Sequence, residues 1–305
     1  MNSPFHWIEF NICVLIAVAL DLGVFHRRPH RIGTREALLW SAIWIGAAAA
    51  FAVGVYHYYG TQPALEFSTG YLIEKSLSVD NLFVFLVLFR TFGVPAEFQH
   101  RVLAWGILGA LITRGLMIAA GAELIGRFSW VMYVFGAFLV YAGIHMAFTR
   151  ETETHPEKNW IVRFLAKHLR MTKNFSGERF FVREEGLLFA TPMFLVLLVV
   201  EVTDVTFAVD SIPAIFGITR DAFIVYTSNV FAILGLRTLY FLLAGVLDRL
   251  TYLKFGLAAV LVFVGAKMLS EKWVHISVLA SLGIVAGILA LATATSLLAK
   301  PKQIT

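Results

Sequence analysis

Five carboxylates stand where charge is costly. Glu74 and Asp80 lie in one long apolar run, and Glu201, Asp204 and Asp210 lie in another. Asn81 follows Asp80 directly, and Ser211 follows Asp210. Lys75, Arg114 and Arg237 share the same apolar surroundings. A charged group in hydrocarbon costs at least a few kcal/mol, so such residues mark ion pathways or buried partners. Carboxylates, an amide carbonyl and a hydroxyl are hard oxygen donors, suited to Mg²⁺, Ca²⁺ or Mn²⁺. The five acids outnumber the three bases by the charge of one divalent cation. Of the nine histidines, His6, His26, His30, His57, His100, His155, His168 and His275 fall in loops or near segment ends, and only His145 lies deeper. That distribution does not suit a zinc or copper centre inside the cluster.

Spacing shapes the cluster. Glu201 and Asp204, three residues apart, share one face of an ideal helix. Asp204 and Asp210 differ by six positions, about 240° around the axis, as do Glu74 and Asp80. Pro213 removes a backbone donor just beyond Asp210 and Ser211. Either the helix breaks there and exposes carbonyls to an ion, or it tilts and kinks. The acids could also serve only as buried salt-bridge partners of Lys75, Arg114 and Arg237. The two readings combine if the arginines hold the carboxylates until an ion takes them.

The elements that must position these residues are membrane helices. The 305-residue chain is 59% hydrophobic and only 15% charged, with mean hydropathy +0.77. Ordinary soluble domains carry about 25% charged residues. Nine apolar segments are expected, at 5–25, 36–58, 65–90, 101–124, 130–149, 186–216, 222–246, 255–270 and 274–298. Each approaches the ~20 residues that span a bilayer. The loops 26–35, 90–101, 150–185 and 247–254 and the tail 299–305 hold 18 of the 25 Lys and Arg. The positive-inside rule then puts the N-terminus outside and the C-terminus in the cytoplasm. Within loop 150–185, Arg163, Lys167 and Arg170 recur at helical spacing among Trp160, Ile161, Phe164 and Leu165, which reads as an amphipathic helix on the membrane surface. Gly283 and Gly287 form a GxxxG that suits close internal packing. A single cysteine, Cys13, rules out an intramolecular disulfide.

An internal repeat organises the charges. Glu74-Lys-Ser-Leu-Ser-Val-Asp80-Asn81 aligns with Asp204-Val-Thr-Phe-Ala-Val-Asp210-Ser211, Arg114 with Arg237, and Gly143-Ile-His-Met146 with Gly265-Ala-Lys-Met268. Segments three to five (65–149) thus repeat as six to eight (186–270), separated by the loop 150–185 and followed by a last helix, 274–298. Two copies of an odd number of crossings enter the membrane from opposite sides, the inverted-repeat plan of many secondary transporters. The fold expected is a single all-α transmembrane domain.

At these residues the chain resembles a known family. Glu74-Lys-Ser-Leu-Ser-Val-Asp-Asn-Leu-Phe-Val84 and Glu201-Val-Thr-Asp-Val-Thr-Phe-Ala-Val-Asp-Ser-Ile-Pro-Ala-Ile-Phe216 are similar to the two signature stretches of TerC-family membrane proteins. Asp21-Leu-Gly-Val-Phe-His-Arg27, Phe180-Phe-Val-Arg-Glu-Glu-Gly-Leu187 and Ser228-Asn-Val-Phe-Ala-Ile-Leu-Gly-Leu-Arg237 resemble its Alx branch. The resemblance implies a bacterial inner-membrane protein of the LysE-like transporter superfamily, associated with Mn²⁺ export. Older labels invoke tellurium resistance or redox modulation. Carried over by position, the metal candidates are Glu74, Asp80, Glu201, Asp204 and Asp210, with Asn81 and Ser211 as secondary ligands and Lys75, Arg114 and Arg237 as counter-charges. The expectation is a divalent-cation exporter that carries no permanent cofactor, binds no nucleic acid and has the bilayer and the ion as partners. It is not expected to be an enzyme: no GxGxxG, Walker-type lysine loop, HExxH or nucleophile elbow occurs. A membrane scaffold or redox modulator is the alternative, with an intramembrane aspartyl protease a distant third.

Overall fold

The computed structural model describes residues 4–23, 34–128, 130–148, 170–172, 174–184, 187–243, 252–270 and 272–298. Among them run ten helices: α1 (Pro4–Gly23), α2 (Thr34–Tyr59), α3 (Thr61–Thr91), α4 (Ala96–Arg127), α5 (Val131–Phe148), α6 (Pro192–Phe216), α7 (Ala222–Leu234), α8 (Leu236–Leu243), α9 (Leu253–Ser270) and α10 (Val278–Leu298). One antiparallel hairpin, β1 (Phe181–Glu184) with β2 (Leu187–Ala190), precedes α6. Among the described residues, seven spans are long and apolar enough to cross a membrane by length and composition, α7 and α8 together counting as one. The protein is an all-α polytopic membrane protein. α3 is not among the seven spans, because Glu66, Glu74, Lys75, Asp80 and Arg90 fall along it. At 31 residues it is nonetheless about 46 Å long.

Several expectations change. The sixth helix starts at Pro192, not 186. Leu187–Ala190 are apolar and merge with the following run in hydropathy, but they pair as a strand with Phe181–Glu184. Thr191 in extended conformation and Pro at the first helical position start the helix. It then continues through Pro213 to Phe216 without a break. The break lies instead within the segment expected over 222–246. There Gly235 divides α7 from α8, and its N–H bonds only Ile233 O. Most of the amphipathic helix expected over 160–171 lies outside the described residues. At its end Met171 bridges Ala190 and is not helical. Gly283 and Gly287 make no close internal contact: among the described residues, nothing outside the helix's own backbone lies within 4 Å of a Cβ built at either position. α10 turns a different stripe inward: Ser281, Val285, Leu289 and Ala292 are buried.

α3 is the hub, packing against α2, α6, α7 and α10. Its second turn is tied to the α6–α7 connection by Thr219 Oγ1, which donates to Glu66 Oε2 at 2.6 Å. Asp221 then caps α7, accepting from the N–H groups of Phe223 and Ile224. Ridge contacts between α4 and α6 are close at Gly106, where Val200 Cγ1 comes within 3.3 Å of a built Cβ. The most extensive pairing joins α5 to α9. There a Cβ at Gly265 would meet Gly136 O at 2.6 Å, and one at Gly143 would meet Ala258 O at 2.7 Å. Those neighbours are backbone, so glycine at 143 and 265 is what lets the helices touch.

Candidate charged centre

Arg114 organises the buried polar interior. It projects from the middle of α4 toward α3, α6 and α7, and it is only 2% exposed. Its Nε and Nη2 donate to the two oxygens of Asp204 at 3.0 and 2.7 Å, a bidentate fork. Its Nη1 donates to Glu74 Oε1 and to Asn229 Oδ1, the latter at 3.2 Å. Glu74 is 0% exposed and Asp204 3%. One guanidinium therefore holds a carboxylate from each of two long helices, with an amide from a third beside them. Glu74 Oε2 and Asn229 Nδ2 are buried with no hydrogen-bond partner among the described residues.

The remaining candidates lie elsewhere on the same helices and on α8. Glu201 lies one turn before Asp204 on α6, and its carboxylate occupies the space in which a side chain at Gly109 would stand. Asp210 is half-buried, on another side of α6 from Asp204 at 3.6 residues per turn. Ser211 is buried, and its Oγ has no hydrogen-bond partner among the described residues. Asn81 is buried on α3. Asp80 belongs to the same helix, but its side chain lies outside the described residues, as does that of Asp21. Lys75 Nζ donates to Ala232 O at 3.2 Å, in the last turn of α7, and faces Gly235. There it meets the negative end of a helix dipole rather than a carboxylate. Arg237, at the start of α8, is buried and lines a small cavity with Asp204.

The structure thus joins Glu74, Asp204 and Arg114 directly, while Glu201, Asp210, Asn81 and Ser211 stand at other positions along α3 and α6. Among the described residues no three His, Cys, Asp or Glu side chains are close enough to share one ion. Asn229 is the participant that counting intramembrane charges passes over, because it is neutral. Its signal is a run of buried polar residues, Thr227-Ser228-Asn229, in a largely apolar helix.

The profile of the integral membrane protein TerC family matches residues 59–304. The chain belongs to the TerC family. An uncharacterized membrane protein of Myxococcus xanthus is 49% identical over 298 residues, covering 98% of this chain and 93% of its own length. Two relatives are both named Alx, with a suggested role as membrane-bound redox modulators. The one from Escherichia coli K12 is 50% identical over 298 residues, and the one from Photorhabdus laumondii is 48% identical over 299. Each of the two covers 95% of this chain and 93% of its own length. No solved structure matches. Both signature stretches of this TerC chain fall on the helices that meet at Arg114: α3 supplies Glu74 and α6 supplies Asp204.

Proposed function

We propose that this TerC-family protein is a secondary transporter that exports a divalent cation, with Mn²⁺ as the leading substrate, across the bacterial inner membrane. The observation that carries the reading is the Arg114 fork, which binds carboxylates at equivalent positions of the two sequence repeats. Arg114 and a divalent cation compete for the same oxygens. When the cation takes Glu74 and Asp204, the guanidinium is released; when the cation leaves, Arg114 returns and keeps the carboxylates from standing unpaired in low dielectric. Asn229 gives the guanidinium a neutral acceptor in either state. Glu201, Asp210 and the α3 pair Asp80 and Asn81 complete the oxygen-donor set along the two helices.

The packing supports two inverted halves. α3 packs on α7 as α6 packs on α4, an exchange expected if α3–α5 and α6–α9 are copies. At the α5–α9 contact, the register that carries Gly143 onto Gly265 carries Gly136 onto Ala258. The two close approaches, Gly136 with Gly265 and Gly143 with Ala258, then exchange. A site between such halves opens alternately to either side as they rock. The orientation with the C-terminus in the cytoplasm follows from the Lys and Arg distribution.

Purified protein in proteoliposomes loaded with a Mn²⁺-sensitive dye tests the reading, with Mg²⁺ and Ca²⁺ as competitors. Wild type should carry Mn²⁺ and Asp210→Asn should not, Asp210 being chosen because it lies outside the Arg114 fork. Equal flux from both proteins would sink the site assignment. Absence of flux from folded wild type would favour the second reading, the redox-modulator role suggested for the relatives. The one cysteine, Cys13, is exposed on α1 and has no intramolecular partner thiol, so that reading needs chemistry from elsewhere.

A further inference from the structure

The first turns of α4 carry a second polar region, away from Arg114. There His100, Arg101, Trp105, Glu178 and Arg237 line a cavity of about 240 Å³. Two guanidinium groups face one carboxylate, so the lining is net positive even with His100 counted as neutral. The carboxylate is already engaged, since Arg101 Nη1 donates to Glu178 Oε2 at 2.9 Å. A guanidinium carries five N–H donors, and among the described residues Arg101 spends one of them on a hydrogen bond. Its side chain is partly exposed, whereas Arg237 is buried. The Arg101 guanidinium lies over the Phe180 ring at 5.6 Å, and Phe180 meets Trp105 edge to face. The charge is thereby held in place with donors to spare.

The depth of this cavity in the bilayer follows from the length of α4. Its 32 residues make a helix about 48 Å long. A hydrocarbon core of ~30 Å leaves about 9 Å of it projecting at each end. Arg101 stands about 7.5 Å along the helix from Ala96, level with the lipid headgroups. Trp105 stands about 13.5 Å along it, just inside the hydrocarbon boundary, where tryptophan is favoured. Trp105 is 50% exposed, and Ile112 and Leu116, two and three turns further on the same face, are 65% and 68% exposed. A positive cavity at headgroup level therefore opens onto an apolar stripe that descends toward the bilayer centre.

We propose that this cavity binds the phosphate of an anionic phospholipid, whose acyl chains run along Trp105, Ile112 and Leu116. The single negative charge of such a headgroup balances the surplus of the lining. Guanidinium donors match phosphate oxygens in geometry as well as in charge, and basic pockets between membrane helices are suited to anionic headgroups. The stripe below the cavity favours a lipid over a free anion, because only a lipid gains from covering it. The site requires the membrane-spanning fold and is independent of what the protein carries. Arg237 also lines the small cavity beside Asp204, so the headgroup and the charged centre share one residue.

Native mass spectrometry of delipidated protein tests the proposal, with phosphatidylglycerol or phosphatidylcholine of the same chains added back. Wild type should retain one phosphatidylglycerol in preference to phosphatidylcholine. Arg101→Gln should weaken that preference about fivefold, the effect of one basic residue beside anionic lipid. Glu178→Gln keeps an acceptor for Arg101 and removes the opposing charge, so it should strengthen phosphatidylglycerol binding by a similar factor. If Glu178 only braced the fold, the same variant would weaken binding, and that result overturns the site. Arg183→Gln removes an exposed charge on β1 outside the cavity and should change nothing. Equal retention of the two lipids by wild type, or equal losses in Arg101→Gln and Arg183→Gln, also overturns it. Inorganic phosphate that displaces phosphatidylglycerol at millimolar concentration, and raises the unfolding midpoint by itself, would overturn the lipid assignment in favour of a free anion.

Discussion

Removing Arg114 probes the charged centre most directly. Arg114→Met keeps much of the side chain's length but deletes three hydrogen bonds to carboxylate oxygens and one to Asn229. Glu74 and Asp204 would then face each other, both nearly inaccessible to water. Breaking a buried ion pair by removing one partner costs about 3–5 kcal/mol. Two stranded carboxylates place this variant at the upper end of that range. The triple variant Arg114→Met, Glu74→Gln, Asp204→Asn replaces the whole set by neutral groups of similar shape. Neutral amides carry no stranded charge, and an unpaired buried amide costs only about 1–3 kcal/mol, so the triple variant should recover part of the loss. Unfolding in mixed detergent micelles, followed by circular dichroism, measures both. A single variant as stable as wild type would refute the reasoning, because the arginine would then not be holding unpaired charge. A triple variant no more stable than the single one would refute it differently, by placing the loss in packing rather than in charge.

Other expectations are narrower. Gly109→Ala should leave the fold intact and push aside the Glu201 carboxylate, the far end of a flexible side chain; Mn²⁺ flux at wild-type level with normal thermal stability would show that Glu201's position does not matter. Gly265→Ala meets backbone on α5 and should cost about 1–3 kcal/mol, read as a lower unfolding midpoint in the same detergent assay; an unchanged midpoint would deny the close α5–α9 contact. Asp80→Asn should abolish Mn²⁺ flux while the protein still reaches the membrane, and normal export would remove α3's second acid from the site.

Much of this arrangement could be read before any coordinates. Long apolar runs announce helices because the bilayer sets their length, and a charge inside such a run stands out by its cost. Hence Glu74, Asp204 and Arg114 were legible as a group of buried charges, which the structure joins in ion pairs. What escaped lacks that signature. Asn229 is neutral and adds little to a hydropathy sum. Leu187–Ala190 are as apolar as the helix that follows, so only their pairing with Phe181–Glu184 distinguishes a strand. Gly235 reads like any glycine in a membrane segment until Lys75 is seen against the end of α7. Gly283 and Gly287 suggested an internal contact, whereas the face that α10 buries was set by Val285 and Leu289.

The charge load of α3 has a consequence for how the chain is made. Acidic and basic residues near a helix centre each oppose entry into the bilayer by about 2.5–3.5 kcal/mol. Glu74, Lys75 and Asp80 together give α3 a poor chance of leaving the translocon alone. The groups that compensate it are synthesised later: Arg114 on α4, then the Ala232 carbonyl on α7. The central helix of the finished protein should therefore be among the last to settle, since Ala232 comes more than two-thirds of the way along the polypeptide.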